Sequence, residues 1–251
     1  MAGSRLSVGG DVKASGSGAV GVEVYQISGG MINSSTTSIL GNVITTADDA
    51  TALRQYISAG SSLYDTSAKI AGLIHVDADR SRGVSWREVA AHNGRTDLGV
   101  GGSISAVGTN ATGMDVFEFG RHQIGLLNLN IGGAVHSNGD QALGLGWLQR
   151  TGDNGRVSSA DVRISSNVIA QGENGAAIRG RQSAKSIGVL GLEVGGFVWA
   201  EGESLTGIEL SQLGSQSIEE ASVSIAGSLV AKGADATGLS ISRTSGGSLG
   251  S

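Results

Sequence analysis

The sequence contains neither cysteine nor proline, and aromatic residues occupy only 4% of its 251 positions. Without cysteine there is no disulfide framework, and its absence gives no evidence for or against secretion. Proline within a sheet would remove a ladder hydrogen bond, so its absence is compatible with a chain built mostly of interior strands. No apolar run approaches the roughly 18 residues that a membrane-spanning helix needs. The sequence therefore predicts no membrane span.

Charge is also low, and neither sign forms long runs. The formal net charge is −5, and the lysine and arginine residues are scattered along the chain. Nucleic-acid-binding proteins normally concentrate positive charge on one surface, so we expect no nucleic-acid partner. The first ten residues, MAGSRLSVGG, contain no apolar segment, and we expect no signal peptide there.

What the sequence does contain is a repeat with a period of 30 to 33 residues. Clear copies are GSISAVGTNATGMDV from Gly102, GFVWAEGESLTGIEL from Gly196 and GSLVAKGADATGLSI from Gly227. We call the first residue of each copy its anchor; the eight anchors are Gly10, Gly41, Gly72, Gly102, Gly133, Ser166, Gly196 and Gly227. Regular repeats of this length are typical of solenoids. The pattern predicts one domain over residues 1–251, with 246–251 as a short tail.

Aliphatic residues recur at fixed distances from the anchors with a period of two, as expected for short strands with one buried face. Two residues before the anchors they are Val8, Ile39, Ile70, Val100, Ile131, Ile164, Val194 and Ile225. Two residues after the anchors they are Val12, Val43, Ile74, Ile104, Val135, Val168, Val198 and Leu229. Because the register never changes, we predict an all-β fold, a parallel β-helix of eight coils with about 31 residues each. At ~4.8 Å per coil the rod would be roughly 38 Å long.

Only glycine or alanine occurs eleven residues after each anchor. The column contains Gly21, Ala52, Gly83, Gly113, Gly144, Ala177, Gly207 and Gly238. Glycine adopts positive φ readily and allows close approach of neighbouring backbones. We therefore predict that the six glycines are structural residues of a tight corner with positive φ.

The segments VGTNATGMDV and AKGADATGLSI resemble the repeat units of bacterial autotransporter passenger regions and related surface adhesins. The resemblance extends over most of the chain as a repeat pattern. It implies a parallel β-helix that serves in adhesion or as a structural stalk, at the cell surface or outside the cell, and it implies no catalytic residue. Similar repeat units also occur in phage tail proteins and self-assembling fibres.

No group of residues predicts a metal or cofactor site. His75 and His136 share the column three residues after the anchor but lie two coils apart, about 10 Å, which is too far for one metal ion. Acidic residues recur in the turn after six of the eight short strands, where hydrogen bonding within solvated turns is expected. The segment with Asp77, Asp79, Arg80 and Arg82 is the place to look for an ion.

Polysaccharide hydrolases and lyases on a β-helix need several catalytic groups projecting from one sheet. The outward column thirteen residues after the anchors offers no carboxylate cluster in consecutive coils. Instead, Glu23 beside Arg54 and Arg179 beside Glu209 predict cross-strand charge pairs. We therefore expect a protein that is not an enzyme. The alternative is a glycan-binding or glycan-cleaving β-helix of the phage-tail type.

The outward column three residues after the anchors becomes apolar near its end, with Ile169, Trp199 and Val230 in consecutive coils. Phe197 should lie on the same face, two residues before Trp199. Exposed apolar patches of this kind mark interfaces, and tryptophan is a preferred anchor. The patch predicts either an interface or a surface that a connecting segment covers.

The two ends supply the stronger prediction of an interface, because a terminal coil exposes unpaired backbone groups. The N-terminal face would present Leu6, Val8 and Val12, and the C-terminal face Ile225, Leu229, Leu239 and Ile241. Neither end has a stretch that would form a capping helix. Either the chain is part of a longer protein, or its ends stack on other copies. We predict a structural, self-associating β-solenoid, a filament subunit or rod segment of a bacterial surface adhesin, whose partners are itself and a cell-surface glycan.

Overall fold

The computed structural model describes residues 3–250; the first two positions of the predicted domain, Met1 and Ala2, and the last of the predicted tail, Ser251, lie outside the described residues. Within this range the chain forms 21 strands and no helix. All strand pairs with a described register are parallel, and they form two sheets, of thirteen and eight strands. The parallel β-solenoid predicted from the repeat is confirmed.

The smaller sheet, which we call face B, takes one short strand from each coil. Its strands are β2 (Val12–Ala14), β5 (Val43–Thr45), β8 (Ile74–Asp77), β10 (Ile104–Val107), β12 (Val135–Asn138), β15 (Val168–Gln171), β17 (Val198–Glu201) and β19 (Leu229–Lys232). Each begins two residues after its anchor, with the inward aliphatic side chain that the period predicts.

The larger sheet bends to form the other two walls of the rod. Its strands are β1 (Ser4–Val8), β3 (Val20–Ser28), β4 (Ile32–Ile39), β6 (Thr51–Ala59), β7 (Ser62–Ile70), β9 (Arg82–Val100), β11 (Thr112–Ile131), β13 (Leu143–Thr151), β14 (Arg156–Ile164), β16 (Ala176–Val194), β18 (Thr206–Ile225), β20 (Thr237–Ser245) and β21 (Ser248–Leu249). Face A consists of β1, β4, β7, β14, β21 and the second halves of β9, β11, β16 and β18. Face C consists of β3, β6, β13, β20 and the first halves of the same four strands.

The strand register follows the repeat along the whole rod. Ile104 pairs with Ile74 on one side and with Val135 on the other, so equivalent columns lie directly above one another. The coil anchored at Gly133 is the longest, and its chain turns between β13 and β14, where Gly155 N–H donates to Gly152 O at 2.9 Å. The extra residues therefore form a surface turn and leave the buried columns in register.

The predicted glycine column lies at the corner between faces B and C, but for a different reason from the one predicted. None of Gly21, Gly83, Gly113, Gly144, Gly207 and Gly238 has positive φ, so that part of the prediction is wrong. At Gly207 a Cβ atom would lie 2.6 Å from the Gly238 carbonyl oxygen and 2.7 Å from Val198 Cγ1. The column is small because the next coil and the first side chain of face B occupy the space.

Positive φ occurs instead in the turn that follows face B: at the glycine six residues after the anchor in the last five coils, and eight residues after every anchor. At the latter position the residues are Gly18, Asp49, Arg80, Asn110, Gln141, Asn174, Ser204 and Asp235, with φ between 50° and 67°. A left-handed conformation costs a non-glycine residue roughly 1–2 kcal/mol. In the first seven coils it is maintained because the N–H of this residue donates to the next coil, as from Asn110 to Asp140 O at 2.8 Å.

Residues 246–250, the described part of the predicted short tail, pair with the preceding coil. Ser248 and Leu249 pair with Ser217 and Ile218 of β18, and the N–H of Gly246 donates to Gly214 O at 3.0 Å. This segment therefore continues face A beyond the eighth coil.

Candidate functional site

The predicted charge pairs form on the outer surface of face C. Arg179 Nε donates to Glu209 Oε2 at 2.6 Å, and Arg54 Nη1 donates to Glu23 Oε1 at 3.3 Å. Burial raises the pKa of Glu209, but hydrogen bonds and charge from Arg179 and Arg181 outweigh it, and the net pKa lies below the ordinary value. Both predicted pairs are confirmed, and they brace adjacent coils.

The acidic turns bond to the neighbouring coil. Asp79 N–H donates to Asp48 Oδ1 at 3.0 Å, and Thr109 N–H donates to Asp79 Oδ1 at 2.7 Å. Arg80 reaches back to Asp49 with two hydrogen bonds of 2.8 and 2.9 Å. Residues 3–250 contain no group of three or more His, Asp or Glu side chains placed to hold a metal ion. The register also places His75 and His136 two coils apart, as predicted, with Ser105 between them.

The predicted apolar patch is continuous on the outer surface of face B. Ile169, Trp199 and Val230 are direct register partners on β15, β17 and β19. Phe197, which is 37% exposed, lies at the corner just before β17. A shallow groove runs along this side of the face, lined by Ser103, Ile104, Ser105, Ala134, His136, Ile169, Gln171, Phe197, Trp199 and Glu201. These residues all belong to face B or its corners, so the alternative that a connecting segment covers the patch does not hold.

Polar neighbours hold the aromatic side chain of this patch in place. Trp199 Nε1 donates to Glu201 Oε2 at 3.3 Å, and Lys232 Nζ donates to Glu201 Oε1 at 2.7 Å. The hydrogen bond from Lys232 is the main reason that the pKa of Glu201 lies below its ordinary value. Stable protein interfaces use about 20–30 residues a side. A patch of four side chains is too small to form one alone.

At the N-terminal end the first coil leaves part of its core open. Leu6, Val8 and Val22 are half-buried, whereas their counterparts in the middle of the rod are buried. Val12 was predicted to belong to this face, and the structure corrects that prediction. Its side chain is 3% exposed, and its N–H donates to Asn42 O of the second coil at 2.8 Å. Val12 therefore points into the rod.

The C-terminal end is more open than the N-terminal end. Leu229 and Ile241 are 48% and 44% exposed, and Ile225 and Leu239 are half-buried. In the coil below, Val198 N–H donates upward to Ser228 O at 2.9 Å. The equivalent N–H of Leu229 points out of the end, where residues 3–250 offer no further coil to receive it.

A buried polar column runs through the core sixteen residues after the anchors, on the inner surface of face C. It consists of Gln26, Ile57, Glu88, Glu118, Gln149, Gln182, Gln212 and Arg243. In its second half each side chain donates to the one in the preceding coil. Gln182 Nε2 donates to Gln149 Oε1 at 2.7 Å, and Gln212 Nε2 donates to Gln182 Oε1 at 2.8 Å. We call this second half, from Gln149 to Gln212, the amide ladder; Arg243 Nε extends it to the end at 3.1 Å from Gln212 Oε1.

In the third and fourth coils the column carries two carboxyl groups. Glu88 and Glu118 are register partners on β9 and β11, and each is 1% exposed. Glu88 accepts hydrogen bonds from Trp86 Nε1 at 2.6 Å, from Thr96 Oγ1 at 2.9 Å and from Thr66 Oγ1. Glu118 accepts one from Gln149 Nε2 at 2.7 Å. The carboxyl pair is thus enclosed by neutral donors.

Burial and proximity shift the acidity of both groups in the same direction. Burial, together with the charge of Glu88, raises the pKa of Glu118 to about 8. Burial also raises the pKa of Glu88, while its three hydrogen-bond donors oppose that shift. The two groups titrate as a pair: three donors favour the ionised form of Glu88, while burial and the charge of Glu88 favour the protonated form of Glu118.

The sequence prediction missed this column, although the sequence carried its signal. Position thirteen after the anchors was predicted to point outward, and the alternation of a strand then makes position sixteen point inward. Seven of the eight residues there are polar or charged. A column of polar residues that point inward predicts a buried chain of hydrogen bonds, since buried polar groups need partners.

No helix among residues 3–250 is long and apolar enough to cross a membrane. With the geometry established, comparison of the chain with protein-family models, with curated proteins and with solved structures yields no match.

Proposed function

We propose that this protein is a non-enzymatic structural rod that associates end to end with other copies, as a filament subunit or as a rod segment of an adhesin outside the cell. The observation that carries the proposal is the exposure of the terminal coils. Core columns that are sealed in the middle of the rod are open at both ends, and backbone donors such as the Leu229 N–H project from them.

The two ends fit each other column by column. With the C-terminal face of one copy under the N-terminal face of the next, Ile225 would continue into Val8 and Leu239 into Val22, in the parallel register that the rod uses internally. Such a contact joins two different surfaces and does not close on itself, so it produces a linear assembly.

Arg243 is the one charged side chain in the core columns at the C-terminal face. Besides Gln212, its guanidinium donates to Gly250 O at 3.0 Å and to Glu219 O at 3.3 Å. In a stacked pair its neighbour in the same column would be Gln26, whose amide oxygen is a hydrogen-bond acceptor. The positive charge of Arg243 therefore has hydrogen-bond acceptors within its own chain, and the opposing Gln26 is compatible with it.

The strength of such a junction is modest. About ten backbone hydrogen bonds at a net ~0.5–1.5 kcal/mol each are offset by an association cost of roughly 4–15 kcal/mol. Burial of the open aliphatic side chains adds to the favourable side. We therefore expect association that depends on concentration.

The absence of enzymatic activity in this proposal rests on where the carboxyl groups lie. Glu88 and Glu118 are adjacent, but both are sealed in the core, where no polysaccharide can reach them. On the outer surface Glu23, Glu201 and Glu209 are held in ion pairs with basic side chains. Incubation with acidic and neutral polysaccharides should release no reducing ends, and release that depends on an outer carboxylate would contradict this part.

Light scattering and negative-stain microscopy across roughly 1 μM to 1 mM protein test the association directly. The native chain should form rods whose length grows with concentration. In Leu229→Pro an outward N–H is lost, so assemblies should shorten while the melting temperature of the monomer stays close to native. Its matched control is Val230→Pro, because the N–H of Val230 points back toward β17 by strand alternation; that variant should lose stability instead.

A native chain that remains monomeric over the whole range would refute end-to-end association. The protein would then be a rod segment that does not self-associate. Equal effects of the two proline variants on assembly and stability would show that the N–H of Leu229 is not a junction donor.

A further inference from the structure

The carboxyl pair in the core occupies column positions that amides fill in the three following coils. The amide ladder serves the fifth, sixth and seventh coils with Gln149, Gln182 and Gln212, each of which both donates and accepts. Glu88 and Glu118 occupy equivalent positions in the third and fourth coils. A carboxylate only accepts hydrogen bonds, so two adjacent ones cannot bond to each other unless one of them carries a proton.

No cation compensates the pair. Besides burial, the pKa of Glu88 is influenced by hydrogen bonds from Thr66, Trp86 and Thr96. Besides burial, the pKa of Glu118 is influenced by the charge of Glu88 and by hydrogen bonds from Thr96 and Gln149. Among residues 3–250, Glu88 is thus the one ionisable group that shifts the pKa of Glu118. The charged side chains of the strands packed around the pair lie at outward or surface positions: Arg54 on β6, Asp65 and Lys69 on β7, Arg82, Arg87, Arg95 and Asp97 on β9, Asp115 and Arg121 on β11, and Arg150 on β13. The same surfaces carry the titratable rings of Tyr56, Tyr64, His92 and His122. None of these side chains contributes to the pKa shifts of Glu88 and Glu118.

We propose that Glu88 and Glu118 form a proton-binding site in the core of the rod, and that losing this proton loosens the solenoid between the third and fourth coils. With the proton bound, the pair carries at most one charge, which three donors stabilise at Glu88. Without it, two like charges lie one strand spacing apart, about 4.8 Å, at positions that are each 1% exposed to solvent. The middle of the rod is then its weakest point.

The direction of the pH dependence follows from the two states of the chain. Folding raises the pKa of Glu118 from 4.5 to about 8, so between these values the unfolded chain binds fewer protons than the folded one. The stabilisation that comes from the proton of Glu118 is therefore complete below about pH 4.5 and is lost as pH rises through about 8. The groups with lowered pKa, Asp49, Glu201 and Glu209, lose their contribution only as pH falls below their ordinary range. Between about pH 6 and pH 9.5 these groups stay ionised; burial also raises the pKa of Asp115, so the comparison of variants assigns the pH dependence in this window to the pair.

Thermal unfolding across that window is the first test. The native chain should lose roughly 5–10 °C in melting temperature between the two limits. Glu118→Gln, which copies the amide ladder into the fourth coil, should remove at least half of that loss. Glu23→Gln changes an exposed carboxylate and should leave the loss intact.

A second variant, which introduces a carboxyl group into the amide ladder, makes the test independent of whether Glu118→Gln folds. Gln182→Glu places a carboxyl group between Gln149 and Gln212, and it should add a new loss of melting temperature over the same window. Hydrogen–deuterium exchange locates the effect within one sample. Residues 84–90 and 114–120 should exchange progressively faster at alkaline pH than residues 206–214 of the amide ladder region, beyond the common base-catalysed increase.

The proposal is overturned by a native melting temperature that stays level across the window, or by a Glu118→Gln variant with an undiminished loss. Alkaline exchange that rises equally in both regions would likewise place the pH-sensitive element elsewhere. None of these readouts depends on end-to-end association, since each is measured on dilute monomer.

Discussion

The middle of the rod and its two ends use the same kinds of residue in the same columns, yet they reach different degrees of burial. Val198 in the seventh coil is fully buried, whereas Leu229, the next member of its column, is about half exposed. The end coils show no change of composition that would adapt them to water, apart from Arg243. Their aliphatic side chains are those of an interior coil without a neighbour.

This difference indicates that stability is distributed unevenly along the rod. In a solenoid each coil contacts only its neighbours, so a terminal coil has one interface where an interior coil has two. The first and eighth coils should therefore open more readily than the middle, except where the carboxyl pair weakens it. Substitutions matched by column and placed in both regions can test this comparison.

The loss of stability on substitution should differ most between the middle and the end of the rod in the column two residues after the anchor. Ile104→Ala removes a fully buried side chain between two coils, and we expect a loss of about 3–4 kcal/mol in the free energy of unfolding. Leu229→Ala in the same column should cost less than about 1 kcal/mol, because much of that side chain is already in water. Urea unfolding followed by circular dichroism measures both. Similar costs would mean that the eighth coil is covered in solution by another molecule.

The next largest difference should come from the glycine corner. Gly207→Val would place Cβ against the Gly238 carbonyl oxygen and Val198, neither of which can move freely, at a cost of about 2–3 kcal/mol. Gly238→Val meets only the Leu229 side chain, 2.9 Å away at the open end, and should cost about 1 kcal/mol. Unchanged melting temperatures for both variants would contradict the packing of this corner.

In the column of the amide ladder, an interior substitution should again cost more stability than one at the end, by a smaller margin. Gln182→Leu leaves Gln149 Oε1 and Gln212 Nε2 without partners in a dry core, and we expect a loss of about 1–3 kcal/mol. Arg243→Leu at the end removes the donor to Gln212 Oε1 and to the carbonyl oxygens of Glu219 and Gly250, all beside solvent, and should cost less than about 1 kcal/mol. A neutral effect of Gln182→Leu would show that the ladder is not a stabilising chain.

Much of the architecture could be predicted because one period determines many residues at once. Knowing that Gly102 and Gly133 are equivalent already pairs Ile104 with Val135, and the same shift predicts the bond between Arg179 and Glu209. The long interval before Ser166 caused no error, because its extra residues lie in a turn outside the core.

What could not be predicted depends on backbone conformation and on the state of neighbouring coils. The left-handed position holds Asp49, Arg80, Gln141 and Ser204, and no single residue type marks it. Glycine marked a different column, where the demand is for space. The burial of Val12 could not be predicted either. The period treats every coil alike, so it does not show which groups of the first coil are turned toward the second coil.

The smallest difference concerns the surface charge pairs of one column. Arg179–Glu209 joins two interior coils, the sixth and seventh, at 2.6 Å with about a third of each side chain exposed, while Arg54–Glu23 lies at the N-terminal end at 3.3 Å with nearly half exposed. We expect Glu209→Gln to cost about 0.5–1 kcal/mol and Glu23→Gln less than about 0.5 kcal/mol at neutral pH. Because the pKa of Glu209 is lowered in the folded chain, its contribution is complete above about pH 4.5 and is lost as pH falls through the folded value. The native chain and Glu209→Gln should therefore converge in stability on acidification to about pH 3, whereas a constant gap between them would assign the effect to packing of the Glu209 side chain and not to its charge.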